Sequence, residues 1–182
     1  EMVIRDWSSD VCSSDLITSQ TSVNNQQVYD MEVSQDGNRV YFGTTASSNE
    51  QEVFILDTSS KNGSRPKIAS LEMSGTTVRG IAVIEEDNIL ITVGTGGEEY
   101  KVYNIIDETN PTYCGGMNVN NGIYDIDSIR DSFTNAFLYI VTGDTESEFK
   151  IIRGGPGGGG LNGYGYFIEG SHTSAPYDTE SD

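Results

Sequence analysis

Catalysis needs side chains that move protons, attack electrophiles or hold metals, and this chain carries few of them. His172 is its only histidine, and Cys12 and Cys114 are its only cysteines. One imidazole can complete neither a Ser-His-Asp relay nor a multi-histidine metal site. Asp125 and Asp127 share one face of a strand, the pattern of a solvated face more than of a general acid and base. Calcium takes about six to eight converging oxygens, and no EF-hand spacing of carboxylates is present. Gly94-Thr-Gly-Gly97 reads as a hairpin turn, and the tract from Gly154 to Gly160 lacks the Gly-Lys-Ser/Thr of a phosphate loop. The expectation is a chain with no catalytic residue, no metal and no cofactor of its own.

Recognition is the chemistry that remains. Tyr29, Arg79 and Tyr124 occupy equivalent points of three similar segments, with Asp30 and Asp125 beside them. Tyrosine and arginine are enriched where proteins meet partners, so these five residues form the candidate partner-binding rim.

The segments that position the rim repeat. Val28–Val33, Val78–Val83 and Ile123–Ser128 recur at spacings of 50 and 45 residues. After each come a turn rich in Asp, Asn or Gly and a second strand, at 39–44, 89–94 and 136–142. Third strands are expected at 52–57, 100–107 and 148–152, with Leu56 aligned to Ile106 and Ile106 to Ile152. Fourth strands follow at 66–73 and 111–119, each headed by a proline that suits an outer edge. Four antiparallel strands per repeat make one propeller blade, so the fold class is all-β: an incomplete β-propeller of about three blades, 24–75, 76–121 and 122–153, within 17–153.

Phe54-Ile-Leu-Asp-Thr58 and the stretch from Asn104 to Pro111 carry a family likeness. They resemble the LVIVD repeat of bacterial and archaeal surface propellers, over about residues 28 to 153. That resemblance implies an extracellular or cell-surface propeller that binds or scaffolds a protein or a surface glycan. In the third copy Arg153 stands where the Asp of the motif belongs. The aspartates themselves are expected to cap turns through their side chains. The competing reading is a piece of a propeller hydrolase or oxidoreductase whose catalytic residues lie on further blades. A protein associated with a type IV pilus or pseudopilin is a third, on similar repeats in such surface proteins.

The formal charge of −18 repels phosphate backbones and anionic headgroups, which argues against nucleic acid as a partner and confers solubility. No apolar run is long enough to span a membrane, so any signal or anchor is expected outside these residues. Residues 5–16 resemble a translated sequencing adapter, so 1–16 are read as non-native, with no weight given to Trp7 or Cys12. Setting them aside leaves the chain strongly acidic, with Cys114 its one native thiol, read as an inert small hydrophobe. The tract 154–163 reads as a glycine-rich linker, and 164–182 as the start of a further β module or a tail.

Overall fold

The structure, a computed structural model, describes residues 21–61, 63, 65–130, 136–154 and 166–168. The adapter-like residues 1–16, His172, and the linker and tail beyond 154 (apart from 166–168) lie outside them. Strands dominate: β1 (Val28–Val33), β2 (Arg39–Thr44), β3 (Val53–Asp57) and β4 (Lys67–Leu71) form the first sheet, and β5 (Thr77–Ile84), β6 (Ile89–Thr95), β7 (Tyr100–Asn104) and β8 (Thr112–Met117) the second. The third holds β9 (Ile123–Arg130), β10 (Ala136–Thr142) and β11 (Phe149–Gly154). All neighbours are antiparallel and consecutive in the chain, so each sheet is a meander. The short β12 (Tyr166–Ile168), beyond the glycine tract, pairs with β11 on the outer edge of the third sheet. Of the stretch read from the sequence as a further β module or a tail, 164–182, these three residues alone are among those described.

Local chemistry explains the hairpins. In the β1–β2 turn, the Asp36 carboxylate accepts the Asn38 N–H at 2.9 Å and the Ser34 hydroxyl at 2.7 Å, while Gly37 takes a φ of 69°. Between β5 and β6, one turn of 3-10 helix at Glu85–Asp87 ends on Asn88 in the left-handed region. Gly96 and Gly97, both at positive φ, close the β6–β7 hairpin. Pro66 and Pro111 stand just before β4 and β8, the edge strands where a missing N–H breaks no ladder.

The pairing corrects both alignments made through Ile106. Leu56 lies opposite Val40, Tyr103 opposite Leu90 and Ile152 opposite Leu138, so Leu56 and Ile152 correspond to Tyr103 and not to Ile106. Ile106 is outside β7 and exposed. Asn104 therefore takes the place of Asp57, and each side-chain oxygen accepts the N–H two residues on, from Ile106 and Ser59, both at 2.9 Å. Asp107 makes a further turn of this kind with Thr109, at 3.0 Å. A loop longer before β3 than before β7 hides this shift from a fixed-period comparison.

The sheets stack face to face in chain order. Tyr41, Val53 and Ile55 pack on Val78, Ile81, Leu90 and Tyr103, which gives the core between the first and second sheets. Ile91, Val93, Tyr100 and Val102 of the second sheet's other face meet Ile123, Ile126, Leu138, Ile140 and Ile152. Phe42 and Phe54 stack with ring centroids 5.4 Å apart beside Leu56 on the far face of the first sheet. Among the described residues no helix is long and apolar enough to cross a membrane.

Candidate functional site

The rim residues share a structural cause. Pairing between the first and second strands passes from Val28 to Asp30, from Val78 to Gly80 and from Ile123 to Asp125. The skipped residues are Tyr29, Arg79 and Tyr124. A bulge leaves one residue out of the ladder and re-aims its side chain, so three bulges at one position turn out three equivalent side chains. Tyr29 and Tyr124 are exposed. The Arg79 guanidinium carbon sits 3.9 Å from the centroid of the Tyr29 ring, a cation–π contact that joins first and second sheets. Its Nε is buried without a hydrogen-bond partner. Tyr124 lies across Gly143 in the third sheet.

The two acidic members have backbone duties. Asp30 accepts the N–H of Met31 through Oδ1 at 2.8 Å and that of Ile81, in the next sheet, through Oδ2 at 2.7 Å. Asp125 accepts the Ile126 N–H at 2.9 Å. Gly80, the counterpart in the second sheet, has no side chain, which is why Ile81 draws its acceptor from a neighbour. A Cβ there would lie 2.9 Å from Ile126 Cγ2, so glycine permits the close approach of the second and third sheets. Asp127 accepts the N–H of Ser128 at 2.7 Å, so the period-two acids Asp125 and Asp127 both act as local caps. Beside them, partial burial and the charges of Asp30, Asp127 and Glu85 hold the Glu32 carboxyl above the usual glutamate range.

At the opposite end of the first two sheets a cleft of about 610 Å³ opens between the β1–β2 turn and the β7–β8 loop. Glu108 spans it, taking the Arg39 Nε–H at 2.7 Å on one oxygen and the Tyr41 hydroxyl at 2.5 Å on the other. Asp57 lies 3.7 Å from the same guanidinium. Burial, then the Glu108 carboxylate, push the Tyr41 hydroxyl far above its usual range, so it stays a neutral donor. The lining offers hydrogen-bonding groups and excess negative charge, and its Ser34 and Tyr41 hydroxyls are both engaged as donors to carboxylates, of Asp36 and Glu108. Cys114, the one described cysteine, is half-buried on β8 with Sγ 3.6 Å from the Thr112 carbonyl oxygen. Among the described residues no three His, Cys, Asp or Glu side chains gather as a metal-binding group.

No protein-family model matches the chain, and no curated protein matches it either. Its own geometry is therefore the guide to function.

Sequence reasoning missed the Arg39–Glu108–Tyr41 clamp, whose partners are 67 to 69 residues apart and share no motif. It also missed two buried glutamates. Glu52 accepts the N–H groups of Ser47 at 2.9 Å and Met73 at 2.8 Å. Glu99 accepts those of Val119, Asn120 and Gly122 at 2.7, 2.8 and 2.6 Å. Each carboxylate fastens the loop leading to the next sheet. Their signal was present, since Glu52, Glu99 and Glu148 each stand at the head of a third strand.

Proposed function

We propose that this chain is a non-catalytic, LVIVD-type β-propeller repeat module, outside the cell or on its surface, that binds or scaffolds a protein or surface glycan through its rim. The observation that carries the reading is the threefold bulge, which turns Tyr29, Arg79 and Tyr124 out of their ladders at one equivalent point. Bulges bend strands and leave a residue unpaired, and such devices gather where a side chain has to be aimed. A guanidinium held on a tyrosine ring, with a buried Nε that has no acceptor, offers its remaining donors to an oxygen-rich ligand. Asp30 and Asp125 contribute by holding the strands that carry these side chains.

The test is binding of the full chain to panels of surface glycans and of surface-exposed proteins, compared with a Tyr29→Ala, Arg79→Ala, Tyr124→Ala triple variant. A ligand held at the rim should lose more than about tenfold in affinity, with the melting transition kept. Undiminished binding by the folded triple variant would refute the assignment.

A further inference from the structure

β6 and β10 are both rich in apolar residues, Ile89, Leu90, Ile91 and Val93 in the one and Ala136 through Val141 in the other. Yet β6 is buried at every residue but its last, Thr95, while β10 is buried only at alternate residues. The difference is the number of sheets beside them. Pairing equates Val141 with Val93 and Phe149 with Tyr100. Val93 and Tyr100 are 1% and 0% exposed, whereas Val141 and Phe149 are 42% and 55% exposed. The first sheet shows the reverse: Met31, equivalent to Ile81, is 60% exposed against 2%. Val28 and Val33 beside it are exposed too.

We propose that the open face of the third sheet receives β1 of a second copy of this chain, head to tail. The two internal interfaces are built alike. β1 and β2 pack on β5, and β5 and β6 pack on β9. Continuing the series sets β9 and β10 against a first strand, and β1 is the first strand whose packing residues are uncovered. Polar chemistry continues as well. Asp30 caps its own strand through Oδ1 and takes the neighbouring sheet's N–H through Oδ2. Asp125 repeats the first contact through Oδ1 and keeps Oδ2 for a docked strand. Such a contact joins two different faces, so two copies satisfy both faces at once in a ring of six sheets, within the about four to eight that propellers close with. The pairing buries apolar faces that adjoin the rim, but it is read by association of the chain and not by ligand affinity, so its failure is distinguishable from failure of the proposed function.

The experiment is sedimentation velocity of the full chain over a range of concentrations, with Met31→Lys, Val141→Lys and an equimolar mixture of the two. Both positions are exposed in the single chain, so each variant should melt like the native chain diluted below its association range. Phe149→Ser replaces Val141→Lys, and Val28→Ser replaces Met31→Lys, if either melts early. The native chain should associate reversibly and each single variant should sediment as a monomer. The mixture should form a one-to-one pair, because one variant keeps its third-sheet face and the other its β1 face. A native chain monomeric throughout, a Met31→Lys variant that still associates, or a mixture no better than its components overturns the proposal.

Discussion

Replacing Glu99 with alanine should cost far more than the same change at Glu148, although both glutamates stand at the head of a third strand. Glu99 is buried, and its carboxylate accepts three backbone N–H groups of the loop between β8 and β9. Hydrogen bonds to a charged acceptor contribute about 1.5–3 kcal/mol each, and a buried donor left unpaired costs about 1–3 kcal/mol. The three bonds share two oxygens, and water reaches part of the loop once the side chain is gone, so simple addition overstates the loss. The expected destabilisation is about 3–4 kcal/mol. For a chain of this length that lowers the melting temperature on the order of 10 °C. Glu148 is exposed and should lose within about 0.5 kcal/mol. Urea denaturation followed by circular dichroism measures both, with an unchanged slope marking an unchanged unfolding reaction. Equal losses for the two variants would refute the claim that the carboxylate holds the loop.

Gly43→Ala should be destabilising by about 1–3 kcal/mol, because the added Cβ would overlap the Val78 side chain in the first interface; the shift of the urea midpoint reads it. Hydrogen bonds hold the Asp36 carboxyl at about 2, and those of Asp57, Asp107 and Asp144 lower than usual. Their folded values are depressed, so the stability they contribute is present above the unfolded value of 3.8 and is lost as pH falls toward 2. Glu32 has the opposite sign. Its folded value is raised, so its penalty grows as pH climbs above 4.5, and Glu32→Gln should gain stability at neutral pH and gain nothing below pH 4.5. Denaturation midpoints at neutral and acid pH check both statements.

Much of the fold was legible because its causes are local. A period-two apolar pattern, Asp-Gly-Asn in one turn and prolines at two strand heads mark the strands to within a few residues. The slip at the third strand was not local. Equating Leu56 with Ile106 assumes equal loops, and only the hydrogen-bonded register of β7 against β6 shows that Tyr103 is the counterpart. The candidate rim was read as a list of equivalent residues, while the bulge that sets those positions apart appears only when a strand is laid against its partner. That Asp30 caps a neighbouring sheet instead of facing solvent likewise depends on Gly80, 50 residues away.

By itself the sequence determined an all-β chain of repeated meanders, acidic and thin in catalytic groups, since composition, alternation and turn chemistry act over a few residues. Tertiary structure alone decided which apolar faces are covered. β6 and β10 are both rich in apolar residues, yet one lies between two sheets and the other beside one. Burial is a property of what stands opposite a residue, and no local pattern carries that information.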